Sequence, residues 1–400
     1  MQTYELEFLE LIKHYFFKSP ITEIHDYESI YELAREQNLL PIIYESCRQL
    51  NSFQQTNHSI QQKMMNGAIG QIITQQQYDV ELERIYHEFL QQDLHPLVLK
   101  GKMCRLVYPQ PDYRVSTDED LLIEVNDYPK YARILENNGY ICQAKGEVDE
   151  KMLAHTQTVN FTNHQLTLEL HIHPFGTYHE LNKRMNTYFG DVHEQSCYVE
   201  PFYTLAPTKQ YLFLIFHLYK HFLSSGVGVR QLLDLVLYKQ AYSNEIDFQY
   251  IQQVLEELHI TKLYDALMQC ANNYLGFSYS SPLFKQKLEP LMENLLSSGC
   301  VGTINSDNIY SAAFTHSFRH KEEGHLFSQI CYLLFPSLQR MQDHYPNLKK
   351  HPIRLPLYWF KRYWDLITKI KSKEFNINES IKIARNREKV YKQYDIRDRD

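Results

Sequence analysis

Neither a disulfide framework nor a zinc knuckle fits this chain of 400 residues. Its seven cysteines (47, 104, 142, 197, 270, 300 and 331) are odd in number, far apart and free of any CxxC pair, whereas both devices draw on closely spaced sets. A reducing cytoplasm is the compartment this implies. Long apolar runs are also missing: the longest is Leu212–Phe216, against the roughly 20 residues a membrane span needs. The N-terminal stretch MQTYELEFLELIKHYFF places acids where a signal peptide is basic, so no stable membrane insertion is expected. Charge of one sign is scarce, since a net −7 is mild for this length and gives no global sign of a nucleic-acid or anionic partner. Glycine (13) and proline (15) are few while tyrosine (31) is frequent, which suits a helix-rich protein with many amphipathic packing side chains. There is no internal repeat and no low-complexity tract.

A hydrophobic content of 44% can bury a large core, and the length allows two or three units. We divide the chain into an N-terminal helical region (1–95), an α/β core (96–200) and a C-terminal helical region (201–400). In the first, Leu6, Leu9, Ile12, Ile30, Leu33, Leu40 and Ile43 recur at helical spacing. A long helix over about 60–92, opened by Asn57-His58-Ser59, carries Met64, Ile69, Ile73, Val80, Ile85 and Phe89 as its expected apolar stripe. It stops at Asp93-Leu94-His95-Pro96, because proline disfavours helix in the residue before it.

The core reads as an alternation of strands and helices: strand 97–100, helix 102–108, strand 118–125, helix 128–138, strand 139–145, then strands 157–163 and 166–173 joined at Asn163-His164-Gln165. The last strand alternates cleanly, with Leu166, Leu168, Leu170 and Ile172 on one face and Thr167, Glu169, His171 and His173 on the other. After Pro174 the chain is expected to stay helical, with helices at 207–223, 229–242, 248–258, 261–275, 326–344 and 355–371, a weakly patterned stretch at 276–325, and a solvated or fraying tail over the last 25 residues. The fold class is α/β (α+β), a small mixed sheet flanked by helices.

Within that core, Asp118 and Asp120 stand two apart at a strand start and so project to one side. Hard oxygens at that spacing suit Mg²⁺, with Mn²⁺ as the substitute. Glu169 on the polar face of a neighbouring strand completes a three-carboxylate cluster and offers a general base. Lys100-Gly101-Lys102, where a strand ends and a helix begins, reads as a phosphate cradle, and Arg114, Ser116 and Thr117 are candidates for further phosphate contacts. His171 shares the Glu169 face. His217, Lys220 and His221 fall on one side of a helix that can line the same cleft; the four-residue histidine spacing suits zinc but lacks a third ligand. Arg230 and Asp234, also four apart, read as a helix-surface pair.

The order Leu99-Lys100-Gly101, Tyr108-Pro109, Arg114-x-x-Thr117-Asp118-x-Asp120-Leu121-Leu122-Ile123 and Glu169-Leu170-His171 resembles the uncharacterised bacterial nucleotidyltransferases of the DNA polymerase β-like superfamily. His217, His221, Val229 to Asp234, Leu334 to Ser337, Tyr345-Pro346 and Lys349 to Pro352 extend the resemblance over most of the chain. It implies metal-dependent transfer of a nucleotidyl group from an NTP to an acceptor, which can be a small molecule, a glycan, a protein or RNA. Lys102, Glu119 and Glu169 depart from the usual superfamily pattern, and Glu119 can compete for metal. Two alternatives stay open. One is a toxin-like enzyme that modifies tRNA ends; the other is a non-catalytic nucleotide-binding or scaffold protein on the same fold. The first draws on residues 340–373, where nine Lys or Arg face two Asp, a local +7 that, from a total of −7, leaves −14 on the rest. The segment around 355–371, with Leu357, Phe360, Trp364 and Ile367 beside Lys361, Arg362 and Lys369, suits a basic amphipathic helix packed on the acidic body, or one that meets RNA or a membrane surface.

Overall fold

The computed structural model describes residues 1–279, 287–299, 351–371 and 388–394 together with 335, 338, 341, 345 and 348, and leaves out 22, 145, 178, 179 and 225 as well as the side chains of 365–371. Nearly all of the helix expected at 326–344 and most of the 276–325 stretch lie outside the described residues.

Five helices precede the sheet: α1 (Thr3–Phe17), α2 (Tyr27–Glu36), α3 (Leu40–Cys47), α4 (Asn51–Gln54) and α5 (His58–Gln91). Asn57 caps α5, its side chain accepting the Ser59 N–H at 2.9 Å, as the sequence suggests. The buried face of this 34-residue helix differs from the expected stripe. Ile69, Ile73 and Val80 are exposed, while Gln75 and Glu81 are buried. The reason is polar: Gln75 accepts the Ser116 N–H at 2.7 Å, and Glu81 accepts from Arg84, Tyr140 and Asn163. The middle of α5 thus turns toward hydrogen-bond partners rather than apolar ones.

Among the described residues the sheet has seven strands in the order β3-β4-β5-β2-β1-β7-β6: β1 (Leu97–Val98), β2 (Glu119–Leu122), β3 (Ile141–Cys142), β4 (Thr158–Thr162), β5 (Thr167–His171), β6 (Cys197–Val199) and β7 (Phe202–Thr204). It is mixed, with β2 parallel to β5 and β1 parallel to β7. The hairpin between β4 and β5 is where the sequence puts it, Asn163 Oδ1 accepting the N–H groups of Gln165 and Leu166. The hairpin β6–β7 corrects the expectation of unbroken helix after Pro174. Three-residue strands are too short for alternation to reveal.

Between the strands lie α6 (Lys102–Arg105), α7 (Tyr128–Asn137), α8 (Glu150–Leu153) and α9 (Glu180–Asn186); after them come α10 (Pro207–Leu223), α11 (Val229–Ala241), α12 (Phe248–Glu257), α13 (Thr261–Leu275) and α14 (Glu289–Ser298), and later a helix Leu355–Lys371. One sheet face, with Val98, Leu121, Leu168 and Leu170, packs on the C-terminal half of α5 and on α7. On the other side of the sheet, Leu97, Leu99 and Leu122 join a large core built from α1 to α3 and α10 to α14. Residues 388–394 also enter this core: Val390, Tyr391 and Tyr394 are buried, and the Tyr391 hydroxyl donates to the Phe222 carbonyl at 2.6 Å. The expected fraying tail is therefore packed in this part, because three apolar or aromatic residues within five positions line up on one helical side.

Candidate active site

Register places the acids. In the β2–β5 pair, Asp120 stands beside Glu169 and Leu122 beside His171. Neighbouring residues in register point to one face, so Asp120, Glu169 and His171 all look away from the Leu121–Leu170 core. Each offers a ligand atom within 4.8 Å of the other two. Asp118, one residue before β2, joins them through Lys100, whose Nζ lies 3.0 Å from Asp120 Oδ2 and 3.9 Å from Asp118 Oδ1.

Each member of the cluster is held by a partner. His171 Nε2 lies 2.9 Å from Asp120 Oδ1; because the carboxylate is held ionised, that nitrogen carries the proton and donates. Burial alone would raise the Asp120 carboxyl, yet Lys100 and His171 hold it well below the usual carboxylate range. Glu169 moves the other way, pushed up by burial and by the nearby charges of Asp120 and Asp118. Its Oε1 accepts from Asn160 Nδ2 at 3.1 Å. For Lys100, burial would favour the neutral amine, but Asp118, Asp120 and Glu169 outweigh it and keep the ammonium firmly charged. Asp118 and Glu169 keep about a third and a quarter of their side chains exposed, while Asp120 keeps almost none. The cluster is thus buried at its root and open at its rim.

Helix α10 brings His217, Lys220 and His221 within electrostatic reach of Lys100 and Asp120. His217 and His221 meet Nε2 to Nε2 at 3.1 Å, a spacing at which one ring donates and the other accepts. Burial, each other and Lys100 hold His217 far below its ordinary value, and burial with Lys220 and Lys100 brings His221 down to about 3. Both rings are therefore neutral near pH 7. Burial lowers the Lys220 ammonium as well, with Lys100 adding to it and Asp120 and Glu169 opposing; its Nζ donates to Gln157 Oε1 at 2.8 Å.

Several expected contacts go elsewhere. Glu119 stands apart from the other acids on the opposite face of β2, where its Oε1 accepts from Arg105 Nη1 at 2.5 Å and its Oε2 accepts the Lys102 N–H at 2.9 Å. That carboxylate fills the turn read as a phosphate cradle. Gly101 has φ +47°, and a Cβ there would fall inside the Glu119 carboxylate, so glycine is required by an internal acid. Lys102 points toward α5 and pairs with Asp79 and Glu83 at 2.9 and 3.2 Å.

Arg114 is buried and forks onto Asp234, Nε to Oδ1 at 2.9 Å and Nη2 to Oδ2 at 2.7 Å, with the Tyr108 hydroxyl donating to the same acid at 2.8 Å. Ser116 sits between Arg105 and Arg114, accepting from both. Thr117 stays exposed beside Asp118. The expected surface pair Arg230–Asp234 is not formed: both are buried, and Arg230 donates to the Val115 carbonyl. No spacing rule could reveal a bond between residues 114 and 234. Asn160 and Gln157, missed as site residues, had a weak signal in the polar face of β4 and the residue before it.

Comparison with known proteins decides the class. Residues 24–276 match the family described as "Uncharacterised nucleotidyltransferase", more than half of the chain. The chain belongs to that family. No curated protein matches it, and no solved structure does. The matched span of this nucleotidyltransferase contains the cluster, the α10 residues beside it and the Arg114–Asp234 fork, and an NTP is the substrate class that goes with membership.

Proposed function

We propose that the chain transfers a nucleotidyl group from an NTP to an acceptor hydroxyl with release of pyrophosphate, in the manner of the polymerase β-like superfamily. The observation that carries this reading is the register pairing of Asp120 with Glu169, with His171 and Asp118 beside them. With the His171 imidazole donating to Asp120, the carboxylate oxygens of Asp120 and Glu169, with Asp118 beside them, are the donors that fit a divalent ion, and hard oxygens suit Mg²⁺ or Mn²⁺. Such an ion would neutralise triphosphate charge and polarise the α-phosphate.

The chain's own residues then divide the remaining work. Asp118 and Asp120 would hold the ion, and His171 fixes the Asp120 carboxylate by its hydrogen bond. Glu169, oriented by Asn160 and reachable from solvent, completes the site and receives the acceptor's proton. Lys100 supplies the positive charge that buried Asp120 requires, and it is placed to turn toward phosphate oxygens once a divalent cation takes that position. Thr117 and Lys220 are the further polar groups at the rim. The neutral His217–His221 pair lines the α10 side for base or acceptor.

A non-catalytic binding protein is the second reading, and one observation favours it: Glu119 already occupies the Lys102 N–H that a phosphate cradle would use. The test is incubation with each α-labelled NTP, Mg²⁺ or Mn²⁺, and a lysate fractionated into RNA, protein and small molecules. Label in one fraction, lost with Asp120→Ala, is expected, and label in RNA alone selects the tRNA-modifying variant. No label in any fraction would leave the binding reading.

A further inference from the structure

Apart from the cleft, the helix Leu355–Lys371 presents a second feature that the transfer chemistry does not use. One side of it is partnered: the Phe335 ring lies 5.2 Å from Trp359 and 6.1 Å from Tyr363, and Tyr345 lies 4.8 Å from Tyr358. The other side, among the described residues, is open to solvent apart from the Phe360 ring edge near Tyr363 at 6.3 Å. Leu357 is 67% exposed, Phe360 71% and Trp364 71%, and Ile353 in the turn just before the helix is 91% exposed. At 3.6 residues per turn Leu357, Phe360 and Trp364 fall within about 60° of one another, and exposed Arg354 and Lys361 border that sector. Large apolar side chains left in water along one stripe mark an interaction surface rather than scattered exposure.

We infer that this stripe is a docking surface for an anionic membrane, on which the helix lies in the interfacial plane with Leu357, Phe360 and Trp364 in the acyl boundary and Arg354 and Lys361 at the headgroups. Charge complementarity selects this occupant: residues 340–373 carry +7 on a chain whose remainder carries −14, so a negative surface attracts this segment and repels the rest. Leucine, phenylalanine and tryptophan in the centre of the stripe suit the acyl boundary and offer little to a phosphodiester backbone, which disfavours RNA. No described helix is long and apolar enough to cross a membrane, so the helix would lie on the surface without spanning it.

The test is co-sedimentation of the full chain with phosphatidylcholine vesicles, with and without phosphatidylglycerol. Binding is expected only with phosphatidylglycerol, weakening as salt rises. It should fall by about fivefold for each charge removed in Arg354→Gln and Lys361→Gln, and vanish in the triple variant Leu357→Ser, Phe360→Ser, Trp364→Ser. These side chains are exposed, so the variants should keep the wild-type thermal melt. In Trp359→Phe, Trp364 is the only tryptophan left, and its emission should shift to the blue on adding the anionic vesicles. Failure to bind them, equal binding by the triple variant, or binding of single-stranded RNA in place of vesicles would overturn the inference. None of these readouts depends on nucleotidyl transfer.

Discussion

Strand β2 carries a buried carboxylate on each face, and the two have opposite fates. Glu119 is fully buried and saturated: Arg105, itself fully buried, holds one oxygen, and the Lys102 N–H holds the other. Asp120 is as deeply buried, but it belongs to a group of three acids and a histidine whose rim reaches solvent through Asp118 and Glu169. A saturated acid in a sealed pocket fixes a turn. An acid crowded by like charges, with an opening to solvent, can exchange its cation. Adjacent positions on one strand thus differ by the partners that surround them, a sealed pocket for Glu119 and a group open to solvent for Asp120.

That contrast is broken or sharpened most strongly by Glu119→Gln. Removing the carboxylate leaves buried Arg105 leaning on Asp79, 2.7 Å from its Nη2, so the loss should lie at the lower end of the about 3–5 kcal/mol that breaking a buried pair costs; urea unfolding should show it, and Asp120→Asn should lose less because Lys100 keeps Asp118 and Glu169 nearby. Arg114→Lys comes next. Lysine cannot reproduce the two-pronged contact with Asp234, and about 1.5–3 kcal/mol of stability should go. Gly101→Ala follows with a loss of about 1–3 kcal/mol from the positive φ alone, plus the displacement of Glu119. In a Glu119→Ala background only the backbone part should remain, so a double-mutant cycle reads the collision directly.

The last effect concerns pH. His221 is brought down from 6.5 to about 3 by burial, Lys220 and Lys100. Between those values the unfolded chain binds a proton that the folded chain does not, so stability falls as pH drops from about 6.5 toward about 3. His221→Asn should flatten that dependence by up to one proton, measured by denaturant unfolding across the range.

How legible this was in the sequence depended on range. Alternation over residues 166–173 gave the sheet face of Glu169 and His171, because period two is written in eight consecutive residues. Asp118 and Asp120 were readable for the same reason. The fate of Glu119, Arg114 and Ser116 was not, since it depends on Arg105 and Asp234, which reach them only once α6 and α11 have packed. The exposed Ile69, Ile73 and Val80 show the converse: apolar period alone missed that Gln75 and Glu81 have polar partners waiting across α5.

The most direct measurement compares the two faces of β2 in one assay. Pyrophosphate release from NTP and Mg²⁺, with the acceptor fraction present, should be lost by a factor of about 10³ or more in Asp120→Ala. Glu119→Gln, assayed well below its melting temperature, should keep activity within about tenfold of wild type per folded molecule. Equal release by wild type and Asp120→Ala, or equal loss in both variants at matched folded fraction, would contradict the assignment of the chemistry to the Asp120 face.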